Sequence, residues 1–526
     1  MEIMGTERIK RVMDSVHGYV RIPESYMRDI IDTPEFQRLR RIEQTSCRAL
    51  FPSARHDRFI HSIGVFHIGT LIAEHLWQQA QMCSERGEQT HFPLDGHTAS
   101  IIITYQLACL LHDIGHTPFS HTFESFFHND KNELLESLDN LIEDDNFIRD
   151  YVTLMPEGEN NKLTPHEFCS AIIALENYGK VIDNKHHWKG FNLPGDKALL
   201  ARMIVGCPYL DWKKAPDKKK SLENCFIELI HSKITDADGL DYVCRDVWAS
   251  GYATSKVDLN RLIDSIRIYN DNGAYSVCYD FKGINDILGV LQVKSFQNEF
   301  VFNHHSVLFE QHLLVEAMKS AALRHEFGID AEQSDTKRKN ALRKLCGLDL
   351  FSKEGHETKN SKINISYVMD DDFVSLMKYC FDDEYVRHWF SRQYDYIPIW
   401  KTRESLMSDL PQKIKEAPIR EEFWLYTGDC KKYIAKLLKI KQKDITILDV
   451  DITNRINRIM DVKLFVNQKV YRFDEIYKTI NEAGFKTPIV FKLIYIPKRS
   501  LENISLKNLK EKLIVQCRNV YQVQPS

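Results

Sequence analysis

The 526-residue chain is 43% hydrophobic, carries a formal net charge of −4 and has a mean hydropathy of −0.37. Its length predicts two to four domains with ample core, and its charge excludes a surface coated in positive charge for binding a duplex. No uninterrupted apolar stretch approaches the ~18 residues that cross a bilayer, which predicts a protein without a membrane partner.

Residues from about 10 to 330 read as predominantly helical, with apolar residues recurring three and four positions apart over 63–79, 132–141 and 284–325. The apolar run 101–111 predicts a buried helix, which Gly115 and Pro118 bring to an end. A turn-forming segment follows at 156–161. Lys213, Lys214 and Lys218 to Lys220, with Pro216 between them, predict an exposed basic loop. No aromatic residues interleave these lysines, so nothing here indicates a nucleic-acid partner. Residues 331–440 read as a helical extension, entered through a polar break at 332–339 and containing a mobile loop near 352–362.

From 441 to 526 the character changes. Short β-branched and aromatic runs at 445–452, 463–473 and 488–496 predict strands, while 474–483 and 506–516 predict helices. The expected architecture is mainly α: a large helical core with a smaller C-terminal α+β lobe. The twelve cysteines form no C-x-x-C pair, and many lie among apolar neighbours. That pattern, with an N-terminus lacking the apolar core of a signal peptide, predicts free thiols in the cytoplasm.

The chemistry concentrates in four positions. His61 lies in Arg58-Phe59-Ile60-His61-Ser62, His112 and Asp113 close the apolar helix, and Asp238 lies in Ile234-Thr235-Asp236-Ala237-Asp238. Two imidazoles and two carboxylates make a mixed nitrogen and oxygen set. It suits one divalent cation of intermediate hardness: manganese, iron, zinc or magnesium. His116 and His121 follow directly. Burying an aspartate and up to three histidines at one helix end is costly unless a metal, an anionic substrate or both neutralise them. A satisfied structural histidine cluster is the competing reading.

Several segments together resemble the HD-domain deoxynucleoside triphosphate triphosphohydrolases. They are Asp14-Ser15-Val16-His17-Gly18, the run from Ile31 to Arg40, Phe51-Pro52, Arg58 to Ser62, His112 to His121, Pro165-His166-Glu167, and Asp238 to Asp246. The resemblance covers about residues 10–325, and the C-terminal lobe more loosely; it implies an HD-domain catalytic core over 1–330. It implies that His61, His112, Asp113 and Asp238 hold one divalent ion, with room for further magnesium accompanying a substrate triphosphate. The implied reaction is hydrolysis of a dNTP at the α-phosphorus to a deoxynucleoside and tripolyphosphate. His121 would be the acid and Glu124 its orienting carboxylate, with His116 and His166 supporting the acid or holding phosphate oxygens. By the same resemblance Gln44 and Asp246 contact the sugar 3′-hydroxyl and Arg58 a phosphate. Tyr242 packs beneath the deoxyribose and leaves no room for a 2′-hydroxyl. Plainer readings exist for two of these: His166 as a first-turn residue after Pro165, and Tyr242 as a core aromatic of an amphipathic helix.

The resemblance further implies a homo-oligomer (dimer, tetramer or hexamer) with an activating or inhibiting nucleotide at Lys10, Asp32, Gln37 and Arg40. Asp and Arg at this spacing can equally staple a helix start. The sequence departs from the family at Gly239, where a phosphate-binding lysine is usual, and at Met13, where a second activator site has an asparagine. Residues 45–48 are one shorter than the family's glycine-rich stretch, so base preference does not transfer. The implied setting is dNTP-pool control or defence against phage. Two other functions stay open: an HD phosphohydrolase acting on another nucleotide phosphoester, and a catalytically silent nucleic-acid-binding scaffold.

Overall fold

The periodic segment expected at 63–79 belongs to a longer helix, Arg58–Glu85 (α1). Asp57 caps it, its side chain accepting from the Ile60 N–H. The apolar run becomes Gly96–Leu111 (α2), capped in the same way by Asp95 on the Thr98 N–H and buried along nearly its whole length. α2 packs on α1, as do Pro165–Asp183 (α3) on Lys197–Val205 (α4), and α1 on Ala237–Ser250 (α5). The computed structural model describes residues 8–87, 91–124, 126, 131–154, 164–213, 218–232, 234–252, 257–271, 273–327, 335–344, 347–351, 356–357, 364–392, 394–415, 423–450, 455–467, 469–476 and 490–521.

These helices belong to the first of two units, made of 1–293, 318–379 and 456–480. Among the described residues, three antiparallel hairpins interrupt the predominantly helical first part of the chain, the shortest being His186–Trp188 with Phe191–Leu193. An antiparallel hairpin, Ile9–Asp14 with Gly18–Pro23, opens the described chain. Another, Ile266–Asp271 with Ala274–Asp280, is extended by Lys463–Val466 and Lys469–Arg472 into a four-stranded sheet. The 463–473 run is thus a hairpin that pairs in parallel with the edge of a distant one, at Leu464 with Tyr279. α1 is the one described helix long and apolar enough to cross a membrane, contrary to the expectation from uninterrupted runs. Yet 67% of its apolar window is buried in the protein, because this helix supplies the core wall on which the site is built.

The second unit comprises 294–317, 380–455 and 481–526. Its sheet runs Thr446–Val450, Phe491–Pro497, Tyr396–Pro398, all antiparallel. Leu493, Ile494, Ile434, Leu509 and Leu513 fill its core with the help of Leu506–Val520. The expected boundaries at 330 and 440 do not coincide with these units: 331–440 contributes to both, and so does 441–526. The polar stretch expected as a break enters the Asp335–Lys344 helix, since Lys, Arg and Ala there are good helix formers. Of 352–362, only His356–Glu357 falls among the described residues, as a short strand. Residues 156–161 and 477–483 lie outside them, as do 214–217 of the basic segment. Lys218–Lys220 open a helix, and Lys220 lies over the Tyr209 ring, 5.2 Å from its centroid.

Candidate active site

The four sequence-chosen ligands come from three helices. His61 projects from the first turn of α1, His112 and Asp113 follow the last turn of α2, and Asp238 sits in the first turn of α5. His61 Nε2 lies 3.0 Å from Asp238 Oδ1 and 3.4 Å from Asp113 Oδ2. His112 Nε2 lies 3.6 Å from Asp113 Oδ1 and 3.8 Å from Asp238 Oδ1. Donor atoms about 2.1 Å from one ion stand roughly 3–3.5 Å from one another; the two His61 distances fall in that range and the two His112 distances lie slightly beyond it.

Hydrogen bonding decides which ring atoms face inward. His61 Nδ1 is 2.7 Å from Asp241 Oδ2, and His112 Nδ1 is 3.0 Å from the Cys109 carbonyl oxygen. Each Nδ1 is therefore turned outward to an acceptor and each Nε2 inward, and both Nε2 atoms are buried with no hydrogen-bond partner. Burial alone would lower the pKa of His61, but Asp238, Asp241 and Asp113 raise it to about 10. The pocket thus favours positive charge, and the donor set fits a divalent cation.

A buried network stands behind His61. Asp241 accepts from His17 Nε2 at 2.6 Å and from Arg245 Nε at 2.8 Å, and Arg245 also reaches Asp14 Oδ2 at 2.7 Å. Asp14 in turn folds the first hairpin's turn, accepting from the Val16 and His17 N–H groups. None of these four was given a role from sequence alone. The available signal was the i, i+4 pairing of Asp241 with Arg245 on the helix that carries Asp238. Close approach of α5 to α1 depends on Gly64: a Cβ there would come within 2.0 Å of Asp241 Oδ1.

A second cluster adjoins the first. His116 stacks on His166, ring centroids 4.1 Å apart, and His121 approaches both edge-on at 5.1 and 5.2 Å. α3, which carries His166, comes close because Gly115 has no side chain; a Cβ would lie 2.3 Å from the Ser170 nitrogen. Glu124 joins the histidines, with Oε2 2.9 Å from His121 Nδ1 and Oε1 2.5 Å from His166 Nδ1. Burial favours the neutral carboxyl, yet these two bonds hold Glu124 well below the carboxylate range. Burial opposes charge on His166 as well, but Glu124 raises its pKa. Burial, Arg58 and His166 push that of His116 far down. Neutral and chargeable imidazoles thus lie ring to ring. The His121 side chain is 62% exposed.

Arg58 links the clusters. It donates to Asp113 Oδ2 at 2.7 Å and to Ser120 Oγ at 3.0 Å, and Nη2 lies 3.5 Å from His121 Nε2. Gln44 is buried with its Oε1 unpartnered, and its backbone carbonyl faces Arg58 at 3.4 Å. Asp238, Tyr242 and Asp246 follow at i, i+4 and i+8 on α5; Tyr242 is half-buried, and Asp246 is held by the unassigned His56 at 2.7 Å. Among the expected nucleotide residues, Arg40 donates to Gln37 at 2.8 Å and covers the Phe59 ring at 3.5 Å. Lys10 pairs with Glu24 at 3.1 Å, and Asp32 is exposed.

Residues 58–146 match the HD domain family model. The chain is 26% identical over 328 residues to the deoxynucleoside triphosphate triphosphohydrolase SAMHD1 of Danio rerio, covering 60% of this chain and 46% of that protein. Against SAMHD1 of Bos taurus it is 40% identical over 124 residues, 23% of this chain and 18% of that one. The chain spans about half the length of the curated relatives it matches. A phosphohydrolase from Bacteroides thetaiotaomicron shares the fold, with a TM-score of 0.58 at 18% identity over 93% of this chain and 100% of that one. A histidine-aspartate pair at a helix end, completed by His61 and Asp238 inside a mainly α core, accompanies these likenesses: the chain carries an HD domain over residues 58–146 and is similar to HD-domain phosphohydrolases.

Proposed function

We propose that the chain hydrolyses deoxynucleoside triphosphates at the α-phosphorus, releasing the deoxynucleoside and intact tripolyphosphate. The observation that carries this reading is the adjacency of a cation pocket, His61, His112, Asp113 and Asp238, to a histidine backed by a carboxylate, His121 with Glu124. A divalent ion held there would polarise the phosphate and lower the pKa of a bound water. Arg58, buried beside both clusters, would neutralise phosphate oxygens. The water oxygen bonds to the α-phosphorus as the bond to the 5′-oxygen breaks, and the leaving oxygen takes its proton from His121. Glu124 orients that ring through Nδ1, and the exposure of His121 suits a group that must reach a ligand. Gln44, Tyr242 and Asp246 would read the sugar. The names of the relatives support the substrate class, and buried free cysteines suit a cytoplasmic location.

Purified protein given each dNTP with Mn2+ or Mg2+, with products resolved chromatographically, tests the reading. Deoxynucleoside plus tripolyphosphate is the expected result. Release of dNMP with pyrophosphate, or of single phosphates, would overturn the mechanism. Turnover confined to another nucleotide ester would favour the broader phosphohydrolase reading, and nucleic-acid binding without turnover the scaffold. We also infer regulation: a nucleotide at Lys10, Asp32, Gln37 and Arg40 in an oligomer would have to exchange the contacts that Arg40 and Lys10 now make within the chain.

A further inference from the structure

The loop from His116 to His121 has a backbone that its side chains do not favour. Phe119 and Ser120 both lie in the left-handed region, with φ of 56° and 50°, where two successive non-glycine residues are rare. Such a conformation persists only where its surroundings over-determine it.

The brace comes from more than two hundred residues away in sequence. Asp370 opens the Asp370–Lys378 helix (α6) and is 6% exposed. Its Oδ1 accepts from the Phe119 N–H at 2.7 Å, and its Oδ2 accepts from the Glu43 N–H at 2.9 Å. One carboxylate therefore spans two loops, one ending at His121 and one leading into Gln44. Other bonds meet at the same junction. Ser120 Oγ donates to the Glu43 carbonyl at 2.5 Å, and Thr117 Oγ1 donates to the Ser120 carbonyl at 3.0 Å. The buried Arg38 donates to the carbonyls of His116, at 2.9 Å, and Val368, at 2.7 Å. The start of α6 is itself fixed, since Asp372 accepts from the Met369 N–H at 2.8 Å.

We propose that Asp370 is a positioning residue for the hydrolytic reaction, clamping the His121 loop to the Gln44 loop so that the acid and the sugar contact keep one register. It acts through backbone and touches no substrate. The roles of His121 and Gln44 rest on the reading given under Proposed function; the clamp itself rests on the hydrogen bonds above.

The test uses the full chain loaded with Mn2+ and two variants. Asp370→Ala removes both acceptors; Asp370→Asn keeps one. Bound Mn2+, hydrogen exchange across 42–46 and 116–124, and steady-state kinetics are measured together. The expected result is faster exchange confined to those two segments, unchanged Mn2+ content, and a kcat lower by about 10–100-fold in the alanine variant and less in the asparagine one, since small misplacements of a reacting group have effects of that size. KM should change less than kcat. A kcat within twofold of wild type overturns the proposal. So do loss of Mn2+, exchange that spreads through α1 and α2, and failure of both variants to fold, any of which makes Asp370 a general structural brace. If the wild type turns over no dNTP, the substrate reading fails separately, and the same comparison is made with bis(4-nitrophenyl) phosphate and the exchange data.

Discussion

At His61 one ring makes two commitments. Its Nδ1 is bound to Asp241, so its Nε2 faces Asp113 and Asp238. His112 is divided in the same way by the Cys109 carbonyl. His121 differs, because its Nδ1 serves Glu124 and it belongs with His116 and His166 to a second group of close donor atoms, separate from that of His61, His112 and Asp113. His112→Ala and Asp113→Ala should therefore lose both turnover and bound metal, whereas His121→Ala should keep the metal while kcat falls about 10²–10⁴-fold, as for loss of a general acid. Metal analysis of the purified variants separates the two classes, and loss of metal from the His121 variant would contradict its role. Asp241→Asn should weaken metal binding about 10–100-fold, the usual effect of removing the partner of a ligating histidine. Burial opposes the Asp241 charge, but Arg245, His17 and His61 hold its pKa well below the usual range. A depressed folded pKa contributes stability above the unfolded value of about 3.9 and loses it as pH falls. The stability advantage of metal-free wild type over Asp241→Asn should thus be full at neutral pH and shrink below about pH 4, which denaturant titrations at several pH values would reveal.

At the scale of elements, the site is a meeting of helix ends and one helix face. α1 and α5 contribute their first turns and α2 its last, so each charged side chain emerges where backbone groups are already unpaired. α5 carries two functions on neighbouring faces. Asp238, Tyr242 and Asp246 repeat every fourth residue, while Asp241 and Arg245 point into the buried network. Bringing α5 against α1 requires the missing side chain at Gly64, where a Cβ would meet Asp241 Oδ1 at 2.0 Å and Arg245 Nη2 at 2.4 Å. Neither atom is the free end of a flexible chain, because both are tied into the network. Gly64→Ala should therefore destabilise the protein by about 1–3 kcal/mol, the range for overpacking a core. Thermal unfolding should register it together with weakened metal binding. An unchanged melting temperature would mean that the helices separate without penalty.

For the whole molecule, the open question is whether nucleotides act away from the cation pocket. Lys10 lies on the first hairpin, while Asp32, Gln37 and Arg40 lie in the segment preceding α1. Arg40 packs on Phe59, a residue of the same first turn that carries His61. A ligand that draws Arg40 away can influence the site only by binding one conformation or assembly better than another. A coupling of about 1–3 kcal/mol would change activity roughly 5–150-fold. Mixed nucleotides should then outperform single ones, larger assemblies should appear in sedimentation with the activating mixture, and Arg40→Ala should lose the stimulation. Rates that are linear with single dNTPs and indifferent to added nucleotide would mean that Arg40 and Gln37 only brace the α1 start.

Periodicity and composition by themselves determined the helices on which the site stands, the apolar run ending at His112-Asp113, and most of the C-terminal strands. Such patterns are local, since spacing of three or four positions specifies a helix face wherever the chain goes. Residue chemistry also singled out the four ligands, because histidines and aspartates at a buried helix end need a counter-charge. What only the tertiary structure decided is who meets whom. Leu464 adds to a strand edge at Tyr279, so 463–472 leaves the expected C-terminal lobe for the first unit. Asp241, rather than any neighbour in sequence, orients His61. Asp370 reaches Phe119 and Glu43, and His56 reaches Asp246. These contacts join residues nearly two hundred positions or more apart, and no local pattern marks them. They arise when packed helices and strands bring unpaired backbone and side-chain groups together in a dry interior, where each donor must find an acceptor.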